Sequence, residues 1–579
     1  MADPIITVSE RLAPAFAKVA GLKLPTFDPV VRRSDRADAQ VNGSLALAKQ
    51  MGKSPREVAK AIVEAAELGD ICSEVEVAGP GFLNLTFSNE FLATELALAA
   101  EGPRLGVRIA AVPLVAVVDY SAPNVAKEMH VGHLRSTVIG DALVRMLAFV
   151  GHDVIRENHI GDWGTPFGML IEHLVDLGEA SAAEELSVGD LDSFYRQART
   201  KFDSSDSFKE RARQRVVLLQ GGDVETLRLW NVLVAESMRY FKSVYKTLGV
   251  LLTEADLRGE SAYNHLLPEV VKRLTESGLL TTSDGAEVVF VDGFVNRENE
   301  PLPLIIRKTD GGYNYATSDL ACVIDRVERL GATLLLYVVG APQSQHLQMV
   351  EAVARRAGWL PDGTKLLHVA FGNVLGTDRK ILKSRSGEVV KLDALLAEAI
   401  ERATSAVREK NPQLDPVHQR DIARQVGIGA VKYADLSTDR IKDYMFDWDR
   451  MLSFDGNTSP YLQYAHARIC SIFRRANVDR ASVRTVQPTI DDEAERVLTL
   501  RILQFDTAVW DTIEKFSPHR LCTYLHELAT EFSVFYEQCP VLRAETDSKR
   551  TSRLSLCDMT ARVLQSGLRL LGIDAPEQM

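Results

Sequence analysis

A strand–loop–helix unit between positions 114 and 151 constrains the fold of this chain more than any other stretch. Leu114–Val118 is an apolar, β-branched run with the length of a buried strand. Turn-forming residues then interrupt the run at Pro123 and Asn124. A helix is predicted after Gly132, because apolar residues recur on one helical face until Gly151 ends it. Strand, loop and helix in this order are typical of an α/β domain.

Two histidines, His130 and His133, lie where the loop meets this helix. A helix N-terminus directs free N–H groups and a partial positive charge outward, so it favours phosphate. Gly132 lets the backbone approach a flat ring or a phosphate closely. The two imidazoles can therefore donate hydrogen bonds to a triphosphate. Residues 130–133 alone, however, fit helix caps or surface histidines better than a nucleotide site.

The wider set of motifs resembles the class I aminoacyl-tRNA synthetases, and within them the bacterial type of arginyl-tRNA synthetase. The motifs are Ser-Ala-Pro-Asn at 121–124, His-Val-Gly-His at 130–133, Leu-Arg-Ser-Thr at 134–137 and Asn-His-Ile-Gly-Asp-Trp-Gly at 158–164. The resemblance runs through nearly the whole chain. It implies an arginine–tRNA ligase of protein translation. Such an enzyme activates L-arginine with ATP, transfers it to the 3'-terminal ribose of tRNA(Arg), and releases AMP and pyrophosphate.

Length and composition agree with a multidomain globular protein. The chain has 579 residues, of which 46% are hydrophobic and 25% are charged. Residues 1–19 lack the pattern of a signal peptide, and no stretch has the ~20 apolar residues of a membrane span. We therefore expect a cytoplasmic protein without a membrane partner.

Charge and cysteine content exclude two simple classes of protein. The net charge of -12 argues against unselective nucleic-acid binding, although a local basic surface can still bind RNA. The six cysteines are scattered and include no Cys-x-x-Cys pair. We therefore expect reduced, mostly buried thiols, with neither a disulfide framework nor a structural zinc site.

Residues 1–108 are predicted to form a separate α+β domain. A helix is expected at 9–19 and another after a capping box of Ser54, Pro55 and Glu57. Alternation over 75–87, across a Gly-Pro-Gly turn, predicts a strand pair. The resemblance implies binding of the tRNA elbow, at the D-loop, by this domain. Gln40 and Asn42 are then candidate base readers, although turn residues are at least as good an interpretation.

Residues 109–395 are predicted to form a Rossmann-like catalytic domain with a parallel sheet, interrupted by a mostly helical insertion at about 176–290. Strands are expected at 153–157, 304–307, 334–339 and 366–371, with helices between them. In such sheets ligands bind beyond the carboxyl ends of the strands. The candidate site residues follow strands, as this rule requires.

The remainder of the chain is predicted to be helical. The resemblance implies a stem-contact region at 396–456 and an all-α anticodon-binding domain at 457–579. A basic and aromatic set suits the reading of unstacked bases: Tyr461, Tyr464, Arg468, Arg474, Arg475 and Arg480. A solvated helix face explains that set nearly as well. Three self-contained domains make a monomer the default expectation.

The expected reaction depends on placement and charge stabilisation, so we nominate no protein nucleophile. The histidine pair would bind the phosphates, with Mg²⁺ bridging their oxygens, and no protein metal site is expected. A second cationic element is the loop 380–387, which is similar to the family's Lys-Met-Ser-Lys-Ser loop. Lys380 and Lys383 match its lysines in one register, whereas a shift of one residue places Ile381 at the first. Lys127 is the alternative source of charge.

The candidate residues for these steps form two overlapping sets. The catalytic candidates are His130, His133, Lys127, Lys380 and Lys383. The ATP-binding candidates are His130, Gly132, His133, His159 and Lys383.

The amino-acid pocket should contain carboxylates and an aromatic face, because a guanidinium has five donors and no acceptor. Asp119 at the first strand end, Asp319 in the first turn of a helix capped by Thr317 or Ser318, and Tyr315 meet this need. Either acid also has a structural interpretation, as a strand-end acid or as an acid opposing a helix dipole. The resemblance adds three further arginine-binding candidates, which are Asn124, Gln343 and His159.

Two alternatives remain open at this point. One is a class I synthetase for another amino acid, and the other is a non-catalytic tRNA-binding paralogue, which the imperfect lysine loop would fit. The resemblance also implies that bound tRNA is needed even for amino-acid activation.

Overall fold

The structure is a computed structural model that describes residues 3–21, 27–178, 191–296, 298–382, 390–410 and 412–579. It divides into two compact units. The central unit comprises residues 110–452 and 570–573, and the flanking unit comprises 1–109, 453–569 and 574–579.

A parallel sheet lies in the middle of the central unit, as the sequence predicts. Among the described residues it has four strands, in the order Lys365–His368, Leu334–Tyr337, Val115–Asp119 and Asp153–Glu157. The strands lie in register, so Asp119 pairs with Tyr337 on one side and with Glu157 on the other. Three polar side chains therefore end neighbouring strands at the carboxyl edge of the sheet.

Helices cover this sheet and carry the candidate motifs. We call Val131–Phe149 the signature helix and Tyr315–Ile324 the acid helix. The acid helix and the helix Ser344–Arg356 share one apolar core with the sheet residues Val117 and Leu335. The other helices of the unit are Pro166–Leu177, Leu191–Ser204, Asp206–Gln220, Val224–Leu248, Leu267–Glu276, Leu392–Lys410, Pro416–Leu436 and Trp448–Met451. Short 3₁₀ turns occupy Glu254–Asp256, Glu260–Leu266 and Ala341–Gln343.

The predicted strand 304–307 does not belong to the parallel sheet. It lies in Pro301–Arg307, which joins Thr281–Ser283 and Ala286–Val295 in an antiparallel sheet. An alternating apolar pattern indicates a half-buried strand but does not identify its partner strand. A further pair, Val374–Leu375 with Tyr444–Met445, follows the last strand of the parallel sheet.

The predicted start of the acid helix is also wrong. Asn314 is its N-cap, and its side-chain oxygen accepts from the backbone N–H of Tyr315. Thr317, proposed as a cap, instead donates its hydroxyl to the carbonyl of Ile306. Asp319 therefore lies in the second turn, where it does not oppose the helix dipole. The helix continues through a π-helical turn at Asp325–Arg329.

The flanking unit brings both chain ends together. Its four-stranded antiparallel sheet, within the described residues, has the order Val31–Arg32, Ala39–Val41, Phe82–Phe87 and Cys72–Ala78. The predicted strand pair is thus confirmed. The predicted capping box is not formed, because Ser54 caps its helix without a side-chain hydrogen bond. The N-terminal helices are Pro4–Ala20, Gly43–Met51, Pro55–Ala66 and Asn89–Glu101.

The C-terminal part of the flanking unit is helical, as predicted. Its helices are Ser459–Ala476, Glu493–Leu503, Phe505–Lys515, His519–Gln538 and Asp547–Leu570, with a 3₁₀ turn at Arg480–Val483. The six cysteines are buried free thiols. Within the described residues, every helix is too short or too polar to cross a lipid bilayer.

Candidate active site

The two histidines of the signature helix are held by backbone hydrogen bonds. His130 is the N-cap, and its Nδ1 accepts from the N–H of Gly132 at 3.0 Å. The Nδ1 of His133 accepts from the N–H of His130 at 3.1 Å. The ring centroids are 4.0 Å apart. Because each Nδ1 is an acceptor, each neutral ring carries its proton on Nε2, where it can be donated to a ligand.

Burial favours the neutral form of both rings. The pKa of His133 is lowered to about 3, chiefly by burial; the neighbouring His130 and Lys127 add to this effect, and the backbone hydrogen bond with His130 opposes it. Burial also lowers the pKa of His130. The rings therefore offer hydrogen-bond donors but no positive charge at neutral pH. Lys127 is close enough to supply charge, and its Nζ lies 4.4 Å from the ring centroid of Tyr195.

Gly132 has a steric reason to be glycine. A Cβ at this position would lie 2.8 Å from Cε1 of His130. Any other residue would displace the imidazole that closes over the Gly132 N–H. The sequence predicts close approach at Gly132, and the structure shows that the approaching group is the ring of His130.

The lysine loop is only partly described. Lys380 is exposed in a tight turn, where its carbonyl accepts from the N–H of Gly376 at 2.8 Å. Lys383 lies outside the described residues. Val390, the first described residue after this loop, lies beside the signature helix. Its carbonyl accepts from the N–H of Val131 at 3.1 Å.

Asp119 forms an ion pair within the protein. Its Oδ2 accepts from Nη2 of Arg326 at 2.8 Å, and Nε of Arg326 donates to Glu157 at 2.6 Å. Oδ1 of Asp119 is buried without a hydrogen-bond partner among the described residues. The pattern of two carboxylates around a guanidinium thus occurs within the protein itself. Any role of Asp119 toward a substrate depends on Oδ1.

Asp319 and Tyr315 meet at a residue that the sequence analysis missed. Nε2 of His346 lies 2.5 Å from Oδ2 of Asp319, and the rings of His346 and Tyr315 are 4.7 Å apart. The Tyr315 side chain remains 61% exposed, so its face is open to a ligand. His346 follows the predicted site residue Gln343 by three positions. This proximity in the chain was the one sequence feature that could have indicated a role for His346 in the site.

Glu260 is a second missed acid near this cluster. Its side chain is half-buried. Its pKa is raised to about 7, chiefly by burial; His159 opposes the rise, and the nearby Asp162 and Asp319 add to it. The carboxyl is therefore poised to release its proton to solvent when a cationic ligand binds.

The Asn-His-Ile-Gly-Asp-Trp-Gly motif at 158–164 holds Glu260 in position. The backbone N–H of Glu260 donates to the carbonyl of Ile160 at 3.1 Å. The carboxylate of Asp162 accepts from the N–H and the hydroxyl of Ser261, at 2.9 and 2.7 Å. A Cβ on Gly259 would lie 2.2 Å from Asp162 Oδ2, which explains the glycine there.

The remaining candidates lie at the same sheet edge. Asn124 is exposed, and a Cβ on Gly161 would lie 2.3 Å from its Oδ1. His159 is half-buried, with Nδ1 2.9 Å from the carbonyl of Arg258. Gln343 is exposed in the turn that follows the strand Leu334–Tyr337.

Besides burial, the charges of Asp119 and Asp319 both raise the pKa of the Tyr337 hydroxyl. Burial raises the pKa of Tyr337; the guanidinium of Arg326 opposes this rise, whereas the charges of Asp119 and Asp319 add to it. Both acids are therefore near enough to Tyr337 to influence its titration. The arrangement offers neutral donors for phosphate at one helix end and carboxylates for a cation beside the strand ends.

Comparisons with known protein families cover most of the chain. The family "tRNA synthetases class I (R), catalytic domain" matches residues 108–448. "DALR anticodon binding domain" matches 462–579, and "Arginyl tRNA synthetase N terminal domain" matches 7–87.

Individual proteins give the same result. The chain is 54% identical to an arginine–tRNA ligase of Thermobifida fusca over 579 residues, the full length of both. It is 48% identical to an arginine–tRNA ligase of Edwardsiella ictaluri, over 94% of each chain. Among solved structures, arginyl-tRNA synthetase from Plasmodium falciparum matches with a TM-score of 0.85 at 28% identity, covering 99% of each chain. The Thermus thermophilus arginyl-tRNA synthetase matches with a TM-score of 0.81 at 26% identity, covering 99% of this chain and 100% of that one.

Proposed function

We infer that this chain, which belongs to the arginyl-tRNA synthetase family and is an arginine–tRNA ligase, activates L-arginine at the carboxyl edge of its parallel sheet. The observation that carries this placement is the cluster of Asp319, His346, Tyr315 and Glu260 beside the strand ends. It combines carboxylates with an open aromatic face, which is the chemistry that a guanidinium requires.

In the first step, we propose that the arginine carboxylate attacks the α-phosphorus of ATP. The bond from that phosphorus to the bridging oxygen breaks, and pyrophosphate leaves with its electron pair. His130 and His133 donate their Nε2 protons as hydrogen bonds to phosphate oxygens, which stabilises charge that increases in the transition state. Because both rings are neutral, we propose that Lys127 and the loop lysines Lys380 and Lys383 supply the positive charge.

Mg²⁺ is expected for this class of enzyme, and we propose that it enters with ATP. Within the described residues, three metal-ligating side chains converge only at Asp492, Glu495 and Cys539, in the flanking unit. The histidine pair offers nitrogen donors, whereas Mg²⁺ prefers oxygen. The phosphate oxygens would therefore hold the ion, which would neutralise part of their charge.

For the amino acid, we propose that Asp319 and Glu260 pair with the guanidinium while Tyr315 stacks on it. His346 fixes the Asp319 carboxylate through its 2.5 Å contact. Asn124, Gln343 and His159 are proposed to hold the α-amino and carboxylate groups, and Asp119 contributes through Oδ1. These acids would discriminate against citrulline, because its neutral urea group leaves a buried carboxylate uncompensated.

In the second step, we propose that the terminal ribose hydroxyl of tRNA(Arg) attacks the carbonyl carbon of the arginyl-adenylate. The bond from that carbon to the phosphate oxygen breaks, AMP leaves with the electron pair, and the hydroxyl proton passes to solvent. We propose that residues 1–108 bind the tRNA elbow, 396–456 contact the stem and 457–579 bind the anticodon. The matched anticodon-binding domain supports the last assignment. We further propose that the chain works as a cytoplasmic monomer.

Pyrophosphate exchange tests this function directly. With ATP and tRNA(Arg), arginine should drive exchange and citrulline should not, by a factor of at least about 10². Without tRNA(Arg), exchange should be negligible. Equal exchange with both amino acids, or full exchange without tRNA, would contradict the proposal.

A further inference from the structure

A row of polar side chains ends three neighbouring strands of the parallel sheet. Tyr337, Asp119 and Glu157 are register partners on adjacent strands, so their side chains lie side by side. The residues are nearly inaccessible, since Tyr337 and Asp119 are each 4% exposed and Glu157 is 2% exposed. We call these three residues the strand-end row.

Arg326 lies across this row. Its Nε donates to Glu157 at 2.6 Å, its Nη2 donates to Asp119 Oδ2 at 2.8 Å, and Cζ lies 4.9 Å from the ring centroid of Tyr337. The guanidinium therefore contacts all three members. Its side chain is 1% exposed, and the π-helical turn Asp325–Arg329 carries it.

Two polar atoms of the row keep their hydrogen-bonding capacity. Oδ1 of Asp119 and the hydroxyl of Tyr337 are buried without a partner in the described part of the chain. A buried polar atom without a partner is unfavourable, so a ligand that satisfies both would bind strongly. Burial raises the pKa of Tyr337, which keeps its hydroxyl protonated.

We propose that Arg326, by holding Oδ2 of Asp119, presents Oδ1 of Asp119 and the Tyr337 hydroxyl to a positively charged group of bound L-arginine. Tyr337 is then a substrate-binding residue, and Arg326 is a positioning residue. The inference rests on the proposed function, which places L-arginine at this sheet edge. It adds Tyr337 and Arg326, which belong to no motif of the sequence analysis, to the proposed arginine site.

L-Arginine carries two cations that fit, its α-ammonium and its guanidinium. Both offer N–H donors with positive charge, so both satisfy a carboxylate oxygen and a phenol oxygen. 5-Guanidinopentanoate, which is arginine without the α-amino group, separates them. It serves as a competitive inhibitor in the test below.

Tyr337→Phe removes a single oxygen and preserves the ring under Arg326. We expect KM for arginine to rise by about 10- to 100-fold, because one hydrogen bond to a charged group is lost. KM for ATP and the melting temperature should change little. A weaker inhibition by 5-guanidinopentanoate would assign the row to the guanidinium, and an unchanged inhibition would assign it to the α-ammonium.

Tyr120→Phe is the matched control. Tyr120 directly follows Asp119, and its hydroxyl is also buried without a partner in the described chain. It packs on the signature helix instead, since a Cβ on Gly140 would lie 2.3 Å from its Cβ. This variant should leave KM for arginine unchanged.

Arg326→Lys and Arg326→Met test the positioning role. Lysine keeps the charge but cannot bond two carboxylates with one planar fork, so KM for arginine should rise in both variants and more in Arg326→Met. KM for ATP should stay the same. If Arg326→Met fails to fold, Arg326→Lys and Tyr337→Phe still test whether the strand-end row binds arginine.

The inference is overturned if Tyr337→Phe changes KM for arginine no more than Tyr120→Phe does, or raises KM for ATP equally. Asp319→Asn separates this failure from failure of the proposed site. If Asp319→Asn raises KM for arginine while Tyr337→Phe does not, the site stands without the strand-end row. If neither variant raises it, both proposals fail.

Discussion

At the residue scale, the titration of Glu260 links the proposed pocket to pH. Its pKa of about 7 arises first from burial and then from the nearby acids Asp162 and Asp319, with His159 acting in the opposite direction. A bound guanidinium would favour the ionised carboxylate. Below pH 7 the carboxyl must lose a proton before it can pair with arginine, and above pH 7 it is already ionised.

We therefore predict that KM for arginine falls as pH rises to about 7 and then levels off. The limiting slope below the pKa is about tenfold per pH unit, because one proton is released on binding. Calorimetry in buffers of different ionisation enthalpy measures this proton directly. Glu260→Gln should remove the proton release, whereas Glu254→Gln, at an exposed position, should retain it. Equal proton release in the Glu260→Gln variant would refute the assignment.

Single residues also show how far the sequence reaches into the site. From local chemistry the sequence predicts the helix start at His130 and the close approach at Gly132, because both depend on neighbouring residues only. The phosphate-binding role of His130 and His133 is a prediction that rests on the resemblance. His346 and Arg326 were not identified. Their partners Asp319 and Asp119 lie 27 and 207 positions away in the chain, and no local pattern encodes such contacts.

At the scale of elements, a buried ion pair fixes the start of the signature helix. Arg135 is 1% exposed, and its Nε donates to Asp435, in the helix Pro416–Leu436, at 3.3 Å. Its Nη1 donates to the carbonyl of Lys442, and its guanidinium lies 5.2 Å from the ring of Tyr444. The pair thus ties the signature helix to the strand Tyr444–Met445, which pairs with Val374–Leu375.

We predict that Arg135→Met lowers the free energy of unfolding by about 3–5 kcal/mol, because it leaves the Asp435 carboxylate buried and unpaired. Burial chiefly raises the pKa of Asp435, and Arg135 opposes that effect, so the loss should be larger at high pH than at low pH. Urea unfolding of Arg135→Met, Asp435→Asn and the double variant measures the coupling. Additive losses in the double variant would show that the pair does not act as a unit.

Helices and strands were predicted well where the pattern of apolar residues within the segment itself determines the structure. The signature helix and the strand Asp153–Glu157 match their predicted segments closely. The strand Pro301–Arg307 was assigned to the wrong sheet, because strand pairing depends on residues distant in the chain. The cap of the acid helix was also misplaced, since Asn314, Thr317 and Ser318 are all capable N-caps and tertiary contacts decide among them.

At the scale of the whole molecule, residues from both ends of the chain belong to one compact unit. Arg496 donates to Asp38 at 2.8 and 2.5 Å and to the carbonyl of Phe87 at 3.1 Å. Nε of Arg108 donates to Asp506 at 2.7 Å. These contacts span about 400 residues of sequence, so composition and periodicity cannot reveal them.

We predict that Asp38→Asn loosens this unit without affecting amino-acid activation. The substitution removes the charge from a half-buried bidentate pair, which should cost about 1–3 kcal/mol. KM for tRNA(Arg) should rise, whereas KM values for arginine and ATP should not. The exposed pair of Arg11 and Asp70 provides a control, since Asp70→Asn should have little effect. A selective rise in KM for arginine in Asp38→Asn would contradict this separation of roles.

The central claim is that one molecule holds arginine at the acid helix and ATP at the signature helix. The most direct test is aminoacylation of tRNA(Arg) by Asp319→Asn and His133→Ala, with arginine and ATP varied separately. We predict that Asp319→Asn raises KM for arginine at least about tenfold and leaves KM for ATP unchanged. His133→Ala should reduce kcat by about 10²-fold or more, with KM for arginine and tRNA affinity retained. Full activity in His133→Ala, or an unchanged KM for arginine in Asp319→Asn, would contradict the account.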